Sequence, residues 1–137
     1  MLSIGSNLDE ETRDTYTQGD CYLLALELQH LGLGELVAVM TPTTNYTRGA
    51  WNHMAVRTPD GYILDADGLN EPGLTLSNYG DELPDSKLEA ITVDEYRTLV
   101  GGQSESIHDT DEVHQVALKL QAWLAKVPPL APLPAQA

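Results

Sequence analysis

The feature that most constrains this chain is a four-residue turn at residues 58–61, Thr-Pro-Asp-Gly, between two strand-like runs. The runs extend from Trp51 to Arg57 and from Gly61 to Ala66. The Pro, Asp and Gly occupy the positions that a type I hairpin turn prefers. The sequence therefore predicts a β-hairpin, and with it an antiparallel sheet.

Other parts of the chain are read as strands or loops from their composition. Residues 36–40 form a continuous apolar run rich in β formers and bounded by turn residues, which predicts a central strand, and residues 88–91 could form an edge strand. Residues 41–50 are expected to be a polar loop. Residues 67–87 contain five Gly and Pro, which predicts an extended excursion over the surface. The polar, acidic residues 1–19 are expected to be a lead-in segment.

A first helix is predicted from an apolar stripe at helical spacing. The stripe consists of Cys21, Leu24, Ala25, Leu28 and Leu31. Gly19 or Asp20 is a suitable N-cap, and Gly32 with Gly34 ends the helix. Because Leu23 and Leu26 widen the apolar arc, this helix should be mostly buried.

Two more helices are predicted in the second half of the chain. Thr92 and Glu95 have the spacing of a capping box, so residues 93–100 should form a short helix that Gly101 and Gly102 terminate. Asp109 and Glu112 mark another start, ahead of a final amphipathic helix that should pack on the sheet. Its apolar stripe is Val113, Val116, Ala117, Leu120, Leu124 and Val127.

These elements predict a single α+β domain over residues 1–127. In it a buried N-terminal helix packs on a small antiparallel sheet, with an amphipathic helix at the C-terminal end. A chain of 137 residues can bury such a core without disulfides or a structural metal. Residues 128–137 contain four Pro, so they are expected to be a flexible tail.

The charge of the chain limits its partners. Seven Lys and Arg stand against 21 Asp and Glu, a formal net charge of −14, so a nucleic acid is not expected to bind. The acidity serves solubility, or it fits a basic protein partner or mimicry of nucleic acid. No apolar run reaches the roughly 20 residues that cross a bilayer. A single Cys and the absence of a secretion signal favour the cytoplasm.

Cys21 and His53 are the residues whose side chains are best suited to catalysis. Cys21 begins the first helix, where free backbone N–H groups and the helix dipole favour a thiolate. It also lies on the apolar stripe, so it could simply fill the core. His53 stands in a run of apolar and small residues, where it is either a structural His or a functional one.

The hairpin supplies an acidic neighbour for His53. If the turn is centred near residues 59 and 60, His53 lies across from Asp65 or Ala66 on the partner strand. An acid beside a His fixes its tautomer and stabilises its cationic form. Asp65 fits this role. If the register of the strand shifts, Asp67 takes the same place. The alternative is that Asp65 is only a surface charge at the end of a strand.

Three segments together resemble a known family. They are Gly-Asp-Cys-Tyr-Leu-Leu-Ala-Leu at 19–26, Asn-His-Met-Ala-Val at 52–56 and Asp-Gly-Tyr-Ile-Leu-Asp at 60–65. The chain between residues 17 and 68 resembles the papain-like cysteine fold in its broad sense, which includes transglutaminase-like, NlpC/P60-like and arylamine N-acetyltransferase-like proteins. The resemblance implies that Cys21 is the nucleophile, His53 the base and Asp65 the residue that orients it.

Other residues near Cys21 could complete such a site. An oxyanion hole needs donors beside the sulfur, and the candidates are the backbone N–H of Cys21 and the side chain of Gln18. Trp51 and Tyr22 could line the cleft or pack in the core. His30, His108 and His114 lack metal-ligand spacing, and no glycine-rich phosphate loop is present, so neither a metal nor another cofactor is expected.

Three functions follow as hypotheses. The first is a thiol hydrolase or acyltransferase that acts on a peptide, amide or thioester through an acyl-Cys21 intermediate. The second is a non-catalytic protein of the same fold whose acidic surface binds and inhibits a protein partner. The third, which rests on charge alone, is an acidic decoy for a nucleic-acid-binding protein in a phage or defence setting.

Overall fold

The computed structural model describes residues 1–43, 46–80, 85–101 and 110–134. Within these ranges the chain forms six strands and five helices, which confirms an α+β fold. In chain order they are β1 (Ser3–Gly5), α1 (Glu10–Gln18), α2 (Cys21–His30), β2 (Glu35–Thr43), β3 (Tyr46–Arg57), β4 (Ile63–Asp65), β5 (Gly68–Asn70), α3 (Pro72–Tyr79), β6 (Lys87–Ala90), α4 (Val93–Val100) and α5 (Thr110–Lys126).

The strands form one sheet in the order β1-β5-β4-β3-β2-β6, and every neighbouring pair is antiparallel. The predicted hairpin is confirmed as β3 and β4. Its turn is closed by Gly61 N–H donating to Thr58 O at 2.9 Å and Thr58 N–H donating to Tyr62 O at 2.8 Å. The interior position of β2 and the edge position of β6 also agree with the sequence.

Three segments that the sequence indicated were irregular contain regular structure. Residues 1–19 include β1 and α1, and Asp9 caps α1 by accepting from the backbone N–H of Thr12. The supposed loop at 41–50 contributes residues to β2 and β3, while positions 44 and 45 lie outside the described residues. The supposed excursion at 67–87 contains β5 and α3. These predictions were wrong because the partners that order these segments lie far away in sequence, as in the pairing of Ser3 with Asn70.

The tight turn between β4 and β5 depends on a glycine. Gly68 has a φ of +124°, and a Cβ at this position would lie 2.0 Å from the backbone oxygen of Ile4. The conformation is open to glycine and strained for other residues. Gly68 therefore allows β1 to pack directly against the β4–β5 turn.

The core lies between the helices and the sheet, and α2 is its centre. Leu24, Ala25 and Leu28 of α2 are at most 1% exposed, as the apolar stripe predicts. The capping box of α4 is present, with Thr92 and Glu95 each bonding the other's backbone N–H. The final helix α5 is confirmed, but it packs chiefly on α2 rather than on the sheet; its predicted start at Asp109 lies outside the described residues.

The segment after α5 contacts the rest of the domain. Leu133 N–H donates to Asp60 O at 2.8 Å, and the Tyr62 hydroxyl donates to Ala131 O at 2.8 Å. Leu130 and Leu133 pack against the core. Residues 128–134 therefore lie along the β3–β4 turn, which differs from the flexible tail expected from the four Pro. None of the described helices is long and apolar enough to cross a membrane.

Candidate active site

Cys21 is the first residue of α2, and its thiol is free and buried at 5% exposure. Asp20 is the N-cap residue, but its side chain makes no capping hydrogen bond to the helix. The first turn of a helix has backbone N–H groups without intrahelical partners, and its dipole favours negative charge. The position of Cys21 therefore suits a thiolate, as the sequence predicted.

His53 and Asp65 form a buried pair. The Nε2 atom of His53 lies 2.8 Å from Oδ2 of Asp65, and the two residues are 1% and 2% exposed. In the neutral ring Nε2 then carries the hydrogen and donates it to the carboxylate, which leaves Nδ1 as the free acceptor. Asp65 thus has the orienting contact that the sequence predicted.

The geometry behind this contact differs from the predicted one. Val56 pairs with Leu64 and Arg57 with Ile63, so the register is one to two residues away from the pairing expected from the turn. Continued by one residue, this register puts Ala55 opposite Asp65, and His53 lies two positions further along β3. Diagonal neighbours on one face remain within reach of long side chains, so Asp65 meets His53 diagonally rather than directly.

A β-bulge interrupts β3 next to His53. Val39 pairs with His53 and Met40 with Trp51, so Asn52 is an extra residue in β3. Bulges bend a strand and change the direction of nearby side chains. The Asn52 side chain uses its amide to donate to Thr41 Oγ1 at 2.5 Å and to the backbone oxygen of Tyr79 at 3.0 Å. The bulge therefore connects β2 to the end of α3.

Asp67 has a different role from the one considered for it. Its backbone N–H donates to Oδ1 of Asp65 at 3.0 Å, and its carboxylate accepts from the Tyr79 hydroxyl at 2.9 Å. Both carboxylate oxygens of Asp65 are thus occupied, one by Asp67 and the other by His53. Asp67 supports the acid that contacts His53, and among the described contacts it is Asp65, not Asp67, that hydrogen-bonds His53.

Cys21 and Asp65 both act on the protonation of the His53 imidazole. Burial by itself lowers the pKa of His53, but hydrogen bonding and charge interactions with Asp65 and Cys21 outweigh it and raise the pKa from 6.5 to about 9. Nδ1 of His53 is buried and makes no hydrogen bond of standard geometry within the described residues. Because Nε2 is occupied by Asp65, Nδ1 is the ring nitrogen without a described hydrogen-bond partner.

The predicted site residues therefore divide into two groups. His53 and Asp65 are brought into hydrogen-bond contact from β3 and β4, and Cys21 at the start of α2 acts on the pKa of the same His53 ring. Gln18, at the end of α1, is exposed and makes no described hydrogen bond to these three side chains. Tyr22 is buried, with its ring edge-on to Trp51 at a centroid distance of 5.9 Å, so this pair packs in the core or at its boundary.

The sequence interpretation missed Asn52 and Tyr79. The Tyr79 ring stacks on the His53 imidazole with centroids 3.7 Å apart and planes 5° apart. One signal could have revealed α3: Pro72 stands at its first turn and Gly80 follows its last residue, which is the usual placement of Pro and Gly around a helix. No local signal marks Asn52 as a bulge residue.

Two cavities lie elsewhere on the domain. One, of about 610 Å³, is lined in part by Arg57, Pro72 and Leu133, and the other, of about 320 Å³, is lined in part by Leu69 and Leu130. Neither has Cys21 or His53 in its wall. Within the described ranges, no group of three His, Cys, Asp or Glu side chains could hold a metal ion.

Comparisons of this chain with protein-family models, with curated proteins and with solved structures found no match. A functional proposal for the chain consequently depends on the geometry of Cys21, His53 and Asp65. That geometry is a thiol at a helix N-terminus, an imidazole with one committed and one available nitrogen, and a carboxylate held from two sides.

Proposed function

We propose that this chain is a cysteine-dependent hydrolase or acyltransferase of the papain-like or transglutaminase-like kind, acting on an amide or thioester bond. The observation that carries the proposal is the buried hydrogen bond between His53 Nε2 and Asp65 Oδ2, together with the influence of Cys21 on the pKa of the same ring. A nucleophile, a base and an orienting acid in this order form the arrangement that activates a nucleophilic side chain.

In the resting enzyme His53 holds the proton that Cys21 gives up. An imidazolium with Nε2–H bonded to Asp65 carries its second proton on Nδ1, the nitrogen available to the sulfur. The raised pKa of His53, about 9, is consistent with an imidazolium at neutral pH. A thiolate at the first turn of α2 is then the attacking group.

The reaction proceeds in two covalent steps. The Cys21 sulfur attacks the carbonyl carbon of the substrate, and the C=O electron pair moves onto oxygen. The oxyanion collapses, the bond to the leaving amine or thiol breaks, and the leaving group takes the proton from His53. His53 then removes a proton from water or from an acceptor nucleophile, which attacks the acyl-Cys21 carbonyl and releases the thiolate.

The developing oxyanion needs hydrogen-bond donors near the sulfur. The backbone N–H of Cys21 is in the first turn of α2, where helical N–H groups lack intrahelical acceptors. We include the Gln18 side chain as a second donor, since Gln18 precedes Cys21 by three residues and its exposed amide is not committed to another described contact. Loss of one such donor typically reduces the rate by roughly 10²–10³-fold.

The pH dependence of thiol alkylation tests the pairing of Cys21 with His53. In the native protein we expect iodoacetamide to label Cys21 well below the free-thiol pKa of about 8.5. His53→Gln should shift the labelling profile back toward that value. His114→Gln is the matched control, because His114 also contacts a carboxylate, that of Glu27 at 3.1 Å, but outside the site.

Acylation by a small activated ester tests the covalent step. Incubation with p-nitrophenyl acetate should add one acetyl group to Cys21, seen by intact mass and peptide mapping, and the group should disappear on longer incubation. Cys21→Ala supplies the blank. A thiol that reacts with iodoacetamide only after unfolding, together with no acetyl adduct, would refute the enzymatic proposal.

The burial of Cys21 and His53 also supports a second candidate, a non-catalytic protein of this fold. At 5% and 1% exposure the two side chains could be a structural contact, and a net charge of −14 suits binding and inhibition of a basic protein partner. The assay is competition between this chain and DNA for a basic DNA-binding protein. Competition that weakens as salt is added favours this candidate, and no competition at low salt counts against it.

A further inference from the structure

Tyr79 lies outside the proposed triad and contacts the His53 side chain directly. Its ring lies flat against the His53 imidazole, with centroids 3.7 Å apart and planes 5° apart. We propose that Tyr79 is a positioning residue that fixes the plane of the His53 ring and stabilises its protonated form through the aromatic face. This inference rests on the proposed function, because it assigns Tyr79 a role in the same site.

Tyr79 is held at both ends by residues within two positions of the triad in sequence. Its hydroxyl donates to Asp67, whose backbone N–H in turn donates to Asp65. Its backbone oxygen accepts from the side chain of Asn52, the bulge residue directly before His53. A ring fixed at these two points cannot slide across the imidazole without breaking a hydrogen bond.

The end of α3 has further support from β2 and from Ser86. The Ser86 hydroxyl donates to the backbone oxygen of Gly80 at 2.8 Å, and it lies 3.2 Å from the Thr41 hydroxyl. Thr41 also accepts from Asn52. Side chains thus occupy the last carbonyl groups of a short helix, which would otherwise fray. The position of Tyr79 is consequently set by the fold around it and not by α3 alone.

The groups around His53 explain why an aromatic face is useful there. Asp65 approaches from β4, Cys21 from α2 and Tyr79 from α3, and Asp67 acts through the hydroxyl of Tyr79. Burial removes the water that would otherwise solvate an imidazolium. The negative face of an aromatic ring attracts a cation within about 6 Å, and more strongly in a desolvated site. Tyr79 replaces part of the lost solvation without adding a charge.

Tyr79 itself stays neutral in this environment. Burial, followed by the charges of Asp65 and Asp67, raises the pKa of its phenol above the ordinary value of 10.0. The hydroxyl therefore remains a donor to Asp67 at any pH at which the enzyme would work. The consequence for the proposed reaction is a more stable imidazolium, which is the state of His53 when Cys21 is a thiolate.

The direct test is the pKa of His53 measured by NMR titration of its ring signals. The measurement is made in the Cys21→Ala chain, so that the influence of Cys21 on the pKa of His53 is removed from every variant. Tyr79→Leu should lower the pKa of His53 by about one unit, because the cation loses its aromatic neighbour. Tyr79→Phe keeps the ring and should leave the pKa close to that of the parent.

Two results would overturn the inference. One is an unchanged His53 pKa in Tyr79→Leu. The other is an equal fall in Tyr79→Phe and Tyr79→Leu, which would assign the effect to the hydroxyl alone. If Tyr79→Leu does not fold, pentafluorophenylalanine at position 79 keeps the ring shape and reverses the charge of its face, so the pKa should fall here also, and an unchanged value would refute the role of the face.

The experiment separates this inference from the proposed function. The titration needs neither a reactive thiol nor a substrate, so it can succeed if Cys21 proves inert. Conversely, Cys21 could be alkylated at low pH and acetylated while Tyr79→Leu leaves the His53 pKa unchanged. In that case the enzymatic proposal would stand and the role of Tyr79 would be rejected.

Discussion

The His53–Asp65 pair should make the stability of the domain depend on pH in a defined direction. His53 has a folded pKa of about 9 against an ordinary 6.5, so the folded state binds a proton that the unfolded state lacks between these values. The resulting stabilisation is fully present below pH 6.5 and is lost as the pH rises through 9. We propose Asp65→Asn as the perturbation, because it removes the charge and nearly keeps the shape.

The magnitude follows from the size of the pKa shift. The interval between 6.5 and 9 corresponds to about 3 kcal/mol at 1.36 kcal/mol per pKa unit. Cys21 contributes part of this shift, so it is replaced in order to isolate the effect of Asp65. In the Cys21→Ala chain we therefore expect a loss of stability with rising pH of at most about 3 kcal/mol. With Asp65→Asn added, burial, which lowers the pKa of His53, is opposed only by the stacked ring of Tyr79, so most of the loss should vanish.

Urea unfolding at intervals between pH 6 and pH 9.5 measures the effect, as the difference between the two chains at each pH. Glu27→Gln is the matched control. Its carboxylate contacts His114 at 3.1 Å, but the two side chains are 24% and 45% exposed, so solvent screens the pair. A pH dependence that Asp65→Asn leaves unchanged, or that Glu27→Gln removes equally, would refute the reasoning.

Three further substitutions test other features of the structure, by acetylation rate or by unfolding. Gln18→Ala should slow acetylation of Cys21 by roughly 10²–10³-fold while its alkylation profile stays unchanged, and an unaltered acetylation rate would exclude Gln18 as an oxyanion donor. Gly68→Ala should lower the free energy of unfolding by about 2 kcal/mol or more, because Gly68 has a φ of +124° and the added Cβ would meet the Ile4 oxygen. Gly19→Ala is the control, since nothing lies within 4 Å of its added Cβ, and it should leave the free energy of unfolding nearly unchanged. Leu133→Ala should cost about 2 kcal/mol in thermal or urea unfolding if residues 128–134 pack on the domain as described, and no change would favour the flexible tail.

The elements that the sequence predicted well are those whose signals are local. Turn chemistry at residues 58–61 located the β3–β4 hairpin, apolar spacing located α2 and α5, and the Thr92–Glu95 pair located α4. Each of these signals acts between residues at most a few positions apart. For the same reason Cys21, His53 and Asp65 could be named as a set before any coordinates, because a helix start and a hairpin turn fix their approximate places.

Tertiary structure decided how Cys21, His53 and Asp65 are oriented and which residues support them. The Asn52 bulge, the diagonal approach of Asp65 and the stack of Tyr79 on His53 depend on neighbours from other elements. The three-residue strands β1, β4 and β5 are too short for a periodic pattern. Their pairing energy comes from partners up to 67 positions away, as between Ser3 and Asn70, and such contacts leave no mark in the local sequence.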